Sequence, residues 1–407
     1  MTEAAGTGAL QLLLIGGLMV AGLVAGTLTA SLFNIPRVVA YILVGMLFSP
    51  DLLGGYLGLE DLRWTDPLVT LFLGVIAYLI GGSVTVGQLQ RLGWSIVGAT
   101  LGKVSGAVLG VFAVMTLAGM TVADLPVWLF ALVLAALAPA TAPAAIVAIV
   151  HQYRARGPLT TTWLGMVVLD DALGILIFAL VLAAAGSASL AAALPIALWE
   201  IGGAVAVGVA VGFVTGCTAG RLHESELRLV AMLGVIIFLV GLAKSIQISP
   251  LLTAMAFGFS TRYFCGSSSD RLFRPIENLE EVVFVLFFAF AGLHFQLSVF
   301  QEYWAVMLLY FFARSAGLMF GASTGSRLAG APRQVSNWVG FGLLPQGGVA
   351  IGLALLLVGN GRFAQAGELI VNVITATTLL TESVGALSAR FGLARAGEMG
   401  RKRGGET

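Results

Sequence analysis

The chain has 407 residues, of which 58% are apolar and only 10% are charged, and its mean hydropathy is +0.99. A soluble domain carries about 25% charged residues, so the composition excludes a soluble enzyme, a nucleic-acid-binding protein and a disordered protein. The 21 basic and 20 acidic side chains nearly cancel, and the two cysteines provide neither a metal-binding set nor a disulfide framework. We therefore expect an all-α polytopic membrane protein without a cofactor, an enzymatic activity or a nucleic-acid partner.

Apolar segments that are long enough to cross ~30 Å of hydrocarbon follow one another along the chain. Breaks at charged, proline and glycine residues divide them into thirteen predicted transmembrane helices. These spans are 8–32, 36–50, 67–82, 94–119, 125–150, 159–184, 190–218, 227–246, 250–263, 276–297, 300–326, 338–359 and 368–390. The chain starts without a basic segment or a cleavage signal, so we expect the first helix to be retained.

The distribution of lysine and arginine predicts the orientation. With the N-terminus outside, sixteen of these residues lie in cytoplasmic segments and two, Arg63 and Arg362, lie outside. The positive-inside rule therefore places the N-terminus in the periplasm and the C-terminus in the cytoplasm of an inner-membrane protein.

Similar segments recur at a nearly constant shift of 210 to 215 residues, so that Gly102 corresponds to Gly317 and Asp171 to Glu382. An odd number of helices separates the two copies, so the repeats have opposite orientations in the membrane. Inverted repeats are typical of alternating-access transporters, which bind their substrate near the midplane between the repeats.

Two of the predicted helices, the fifth and the twelfth, are interrupted at matching positions of the two repeats. Proline removes a backbone donor and clashes with the preceding turn, so we expect the backbone around Thr141 to unwind. The interrupting residues are Pro139 and Pro143 in the fifth span and Pro345, Gln346, Gly347 and Gly348 in the twelfth. Irregular backbone at membrane depth is tolerated where it is buried or lines a cavity, so the paired breaks predict an ion or substrate site.

Asp170 and Asp171 lie side by side near the middle of the sixth span. A carboxylate at this depth costs ~2.5–3.5 kcal/mol and requires a cavity, a partner or a proton. Burial favours the protonated form and a bound cation favours the ionised form, so competition for one carboxylate suffices for cation/proton exchange. An aspartyl-protease dyad is excluded, because adjacent helical residues diverge by ~100° and no other span contains an aspartate.

The order of four motifs resembles that of bacterial monovalent cation:proton antiporters, in particular the branch with paired aspartates. The motifs are APATAPAA, the DD pair, GLLPQGGVAIGLAL and RFGLARAGE, within residues 35–400. The resemblance implies that Asp171 is the main cation/proton carboxylate, that Asp170 is its neighbour and that Thr141 helps to line the site. Na⁺ would then bind at Asp171 and Asp170.

The resemblance also implies a homodimer in which a core domain, with two crossed broken helices, moves past a scaffold as an elevator. The expected parts are a scaffold of residues 1–93 and 220–299, a core of 94–186 and 300–391, a linker helix at 187–219 and a short cytoplasmic tail at 392–407.

One departure from the family pattern concerns Leu318, because electrogenic members carry at this position a lysine that pairs with the first aspartate. Without that partner, we expect Asp170 to be protonated or to titrate during transport, and the stoichiometry stays open. Lys103 occupies the repeat position equivalent to Leu318, and we predict that it forms an ion pair with Glu382 inside the core. Arg314 is a further buried candidate that could hold a carboxylate or backbone carbonyls.

The sequence thus favours an exchanger of a monovalent cation for protons, with Na⁺ or Li⁺ preferred and K⁺ possible. Membrane lipids and a second copy of the chain are the expected partners. A sodium-coupled symporter of an organic acid, similar to bile-acid transporters, is the alternative, and a channel is a weaker third.

Overall fold

The computed structural model describes most of the chain. The described residues are 2–33, 37–57, 59, 61–83, 93–119, 125–142, 146, 149–150, 153–185, 195, 198–218, 224–266, 269–358 and 363–399.

In the described part of the chain we number thirteen principal helices in chain order. They are α1 (Thr2–Phe33), α2 (Arg37–Leu47), α3 (Asp66–Ser83), α4 (Trp94–Leu117), α5 (Val127–Leu137), α6 (Pro158–Ala185), α7 (Gly203–Thr218), α8 (Ser225–Ser245), α9 (Pro250–Cys265), α10 (Glu280–Leu293), α11 (Leu297–Leu328), α12 (Gly348–Val358) and α13 (Ala364–Ala396). Shorter helices and helical turns are Pro50–Gly54, Arg63–Thr65, Leu198–Gly202, Asp270–Glu277, Arg333–Trp338 and Val339–Gly342. The described part of the chain contains no β-strand, so the predicted all-α fold is confirmed.

Each of the thirteen predicted spans contains helix in the described residues. Among the described residues, seven helices are long and apolar enough to cross a membrane, and there are eight if the bent helix α13 is counted as one span. The count is lower than thirteen in part because α5 and α12 are short helices. α5 ends, and α12 begins, where a predicted span is interrupted. α13 also continues to Ala396, so helix extends into the segment that the sequence predicts as a tail from residue 392.

The chain forms two compact units. Unit 1 consists of Met1–Leu79, Ala204–Trp304 and Ala354–Ala376, and unit 2 consists of Ile80–Gly203, Ala305–Leu353 and Thr377–Thr407. Both α12 and α13 are divided between the units, whereas the sequence places both helices in the core domain.

In unit 1, α2 and α10 cross with their backbones in contact. A Cβ atom at Gly45 would overlap the carbonyl oxygen of Ala289, and one at Gly292 would overlap that of Ile42. α1 packs against both helices. Small residues allow the two backbones to approach closely. The resulting van der Waals contact stabilises the helix pair in lipid, where no hydrophobic driving force acts between helices.

In unit 2, α4 and α11 cross in the same way through a row of glycine contacts. Gly102 meets the backbone of Gly321, and Gly106 meets that of Gly317. The repeat shift of 215 residues converts Gly102 into Gly317 and Gly106 into Gly321, so it maps one contact onto the other. This is the relation that a local two-fold axis between inverted repeats requires.

The beginning of α6 is held by a residue from the far end of the chain. The buried Glu398 carboxylate accepts hydrogen bonds from the backbone amides of Leu159 (2.7 Å) and Thr160 (2.8 Å) and from the Thr160 hydroxyl. Glu398 is brought there by a turn after α13, in which Gly397 has φ 70° and the Glu398 amide donates to Leu393 O. A negative group at a helix N-terminus satisfies free amides and complements the helix dipole.

Candidate ion-binding site

The first break follows α5, which ends at Leu137. Pro139 lies in the turn after the helix and, lacking an amide hydrogen, ends the hydrogen-bond ladder. The amide of Ala142 donates instead to the carbonyl of Pro345 at 3.0 Å. The two interruptions of the helices therefore meet directly, as the resemblance to the antiporters implies for crossed broken helices.

The second break surrounds Gln346, which is fully buried. Its side-chain nitrogen donates to the Tyr310 hydroxyl at 3.0 Å, and its backbone amide donates to the Thr381 hydroxyl at 3.2 Å. Gly347 faces the first break, where an added Cβ would lie 2.7 Å from Thr141 O. Gly347 is thus required for the close approach of the two breaks, and Gly348 begins α12.

Arg314 on α11 joins both breaks through its guanidinium group, which is fully buried. Nε donates to Ala138 O at 2.9 Å, one terminal nitrogen donates to Ala140 O at 2.8 Å, and the other donates to Leu344 O at 2.8 Å. The breaks in the ladder expose such carbonyls, and a buried carbonyl without a donor is costly. The sequence leaves open whether Arg314 holds a carboxylate or backbone carbonyls. Its hydrogen bonds in the structure are with carbonyls.

A buried polar triad lies at the first break. The ammonium of Lys103 on α4 lies 2.5 Å from Oδ2 of Asp170 on α6. The hydroxyl of Thr141 donates to the same oxygen at 2.6 Å and accepts a bond of 3.2 Å from Lys103. All three side chains are fully buried. Lys103 is therefore the basic partner of Asp170 in a medium where an isolated charge is strongly disfavoured.

The second carboxylate oxygen of Asp170 differs from the first. Oδ1 is buried and has no hydrogen-bond partner among the described residues. A buried acceptor without a donor is unfavourable unless a ligand or water completes it. The site thus presents one free carboxylate oxygen beside a neutral hydroxyl, which are ligands suited to a hard cation.

The predicted ion pair between Lys103 and Glu382 is wrong, because Lys103 pairs with Asp170. The repeat symmetry predicts equivalent backbone positions but does not determine which side chains meet, since α4 packs against α6. Glu382 lies on α13, is 4% exposed, and interacts electrostatically with Arg314. The expectation that Asp170 lacks a basic partner is also wrong, because it considers only the position of Leu318.

Two of the predicted site groups lie outside the described parts. The backbone of Asp171 belongs to α6, but its side chain lies outside the described residues, as does Pro143. The described site residues come together in unit 2: Lys103, Thr141, Asp170, Arg314, Pro345, Gln346, Gly347 and Glu382.

Glu398 was not predicted as a structural residue, although its place after Ala-Gly at the end of a helix is a signal for a capping turn.

Comparison with known proteins supports the same fold. The family described as "Sodium/hydrogen exchanger, transmembrane" matches residues 18–393. A structure of the sodium proton antiporter MjNhaP1 from Methanocaldococcus jannaschii at pH 8 is 18% identical, covers 98% of this chain and 100% of its own, and has a TM-score of 0.76. A map of the same antiporter from electron microscopy is 19% identical, covers 99% and 100%, and has a TM-score of 0.69. Comparison with curated proteins gave no match.

The family match extends over nearly all of the helical part of the chain, and the similarity to the antiporter structures shows that the folds agree. A multi-pass transporter rather than an enzyme is therefore established. The chain belongs to the sodium/hydrogen exchanger family.

Proposed function

We propose that this protein exchanges a monovalent cation for protons, with Asp170 and Asp171 as the exchange carboxylates. The observation that carries the proposal is the buried Asp170, whose Oδ2 faces Lys103 and Thr141 while Oδ1 has no partner among the described residues. A family of sodium/hydrogen exchangers provides the reaction class.

The exchange follows from competition for the same carboxylates. Before a cation binds, the Lys103 ammonium compensates Asp170, and Asp171 holds the proton that the exchange releases. A cation that binds Oδ1 supplies a second positive charge and weakens the hold of the carboxylates on protons. When the cation leaves, the buried carboxylates again need a compensating group, which is a proton or the Lys103 ammonium. Each state of the site is then nearly neutral, which a buried site requires.

Na⁺ or Li⁺ is the preferred cation in this proposal, because carboxylate and hydroxyl oxygens suit a small hard ion. The crossed breaks and the glycine contact between α4 and α11 support an elevator in which unit 2 carries the site. We further propose a homodimer in the inner membrane, with a periplasmic N-terminus and a cytoplasmic C-terminus.

The test is reconstitution of the purified protein into liposomes that contain a pH-sensitive dye. Adding Na⁺ or Li⁺ outside is expected to move protons, and Asp170→Asn and Asp171→Asn are expected to abolish the signal. Glu302→Gln, which changes an exposed carboxylate at the beginning of α11, is the matched control and retains it. Absence of proton movement with every monovalent cation, or full activity in both aspartate variants, contradicts the proposal.

A further inference from the structure

We infer that Arg314 determines the cation selectivity of this exchanger, an inference that rests on the proposed function. The guanidinium group donates hydrogen bonds to backbone carbonyls where the two breaks cross. The transported cation is then left with carboxylate and hydroxyl oxygens, and a small cation is favoured over K⁺.

Donors from the protein already engage several neutral oxygens at the crossing. Arg314 donates to the carbonyls of Ala138, Ala140 and Leu344, at 2.8 to 2.9 Å. The carbonyl of Pro345 accepts the Ala142 amide. Four carbonyl oxygens of the crossing are thus already engaged by donors from the protein.

The side chain of Gln346 is also engaged. Its carboxamide nitrogen donates to Tyr310, and its oxygen accepts a long bond of 3.5 Å from the Thr377 hydroxyl. The contrast with Asp170 is clear, because Oδ1 of Asp170 has no hydrogen-bond partner among the described residues. Among the oxygens named here, the one that stays open is therefore charged, whereas the carbonyl and carboxamide oxygens that accept hydrogen bonds are neutral.

The charge of Arg314 also affects where a cation can bind. Arg314 is fully buried, and both Asp170 and Glu382 lie close enough to interact electrostatically with it. The guanidinium group is thus a fixed cation at the crossing, attached to α11. A fixed positive charge among the carbonyls repels a mobile cation from them and leaves it at the carboxylate.

The type of oxygen ligand affects which size of cation is bound. Channels that select K⁺ replace its hydration shell with rings of backbone carbonyls. A carboxylate attracts a small ion more strongly than a large one, because Coulomb energy increases as the separation of the charges decreases. The carbonyl oxygens that are hydrogen-bonded to Arg314 are not available to coordinate a cation. Arg314 therefore favours Na⁺ and Li⁺ over K⁺.

The experiment measures apparent KM values for Na⁺ and K⁺ in liposomes for the wild type and for two variants, Arg314→Gln and Arg314→Lys. Arg314→Gln removes the fixed charge and frees at least one carbonyl. We expect the ratio of the KM for K⁺ to the KM for Na⁺ to fall about fivefold, the size of effect that one added ligand gives. Arg314→Lys keeps the charge but not the three-way geometry, and we expect a fall of about twofold.

Arg327→Gln is the matched control, since Arg327 lies on the same helix but is exposed and contacts Asn337. Its ratio is expected to equal that of the wild type. A ratio at the wild-type value in Arg314→Lys, or in a folded Arg314→Gln, overturns the inference, and Arg314→Lys decides alone if the glutamine variant does not fold. The proposed function fails differently, through absence of proton movement in the wild type.

Discussion

Substitution of Lys103 by methionine provides a direct test of the buried triad. The change removes the ammonium that lies 2.5 Å from Asp170 and leaves the side-chain volume nearly unchanged. Removing one partner of a buried ion pair costs about 3–5 kcal/mol, because the other charge stays buried without compensation. We expect a loss of this size in the free energy of unfolding when no transported cation is present.

Na⁺ is expected to reverse part of this loss, since it replaces the missing positive charge at Asp170. A ligand at 100 times its Kd stabilises the folded state by about 2.7 kcal/mol. The measurement is thermal unfolding of the purified protein in detergent, in NaCl and in choline chloride at equal ionic strength. Stabilisation by Na⁺ is expected to be larger in Lys103→Met than in the wild type.

A double variant isolates the pair from other effects of the substitution. Lys103→Met combined with Asp170→Asn leaves no unpaired charge, so its loss of stability is expected to be clearly smaller than the sum of the two single losses. The Na⁺ effect is expected to disappear in it. Additive losses, together with an unchanged response of Lys103→Met to Na⁺, would refute the reasoning.

Three further substitutions test the surroundings of the site. Thr141→Val removes a hydrogen bond of 2.6 Å to Asp170 and is expected to raise the apparent KM for Na⁺ about tenfold, whereas Thr141→Ser retains the wild-type value in the same liposome assay. Glu398→Ala leaves two amides at the beginning of α6 without their acceptor and is expected to lower the free energy of unfolding by about 1–2 kcal/mol, measured by thermal unfolding; equal stability contradicts the capping role. Gly102→Val is expected to prevent folding, as monitored by size-exclusion chromatography, because its Cβ overlaps the backbone of α11. Gly110→Ala, whose Cβ meets no neighbouring atom closer than 3.3 Å, is the tolerated control.

Much of the fold could be predicted because hydropathy and helix breaking are local properties. A span long enough to cross the membrane forms a helix, since each backbone group must be satisfied within its own segment. Proline interrupts a helix whatever its tertiary surroundings, so the breaks at Pro139 and Pro345 could be predicted. The pairing of the two breaks could also be predicted, because the fifth and the twelfth spans occupy equivalent places in the two repeats. The helical fold and the family therefore follow from the sequence.

The partners inside the site could not be predicted in this way. Repeat symmetry assigns Lys103 a position equivalent to Leu318 and suggests Glu382 as its partner, but the contact between α4 and α6 turns the ammonium toward Asp170. The three carbonyls that accept from Arg314 likewise depend on how α11 packs against the breaks.

By itself, the sequence determined a polytopic helical transporter with paired aspartates beside two broken helices. Only the tertiary structure decided that Lys103 compensates Asp170, that Arg314 holds both breaks and that Glu398 caps α6. The physical reason is that buried charges and free backbone groups must find partners within about 3 Å. Which groups come that close depends on the rotation and crossing of helices that lie far apart in the sequence.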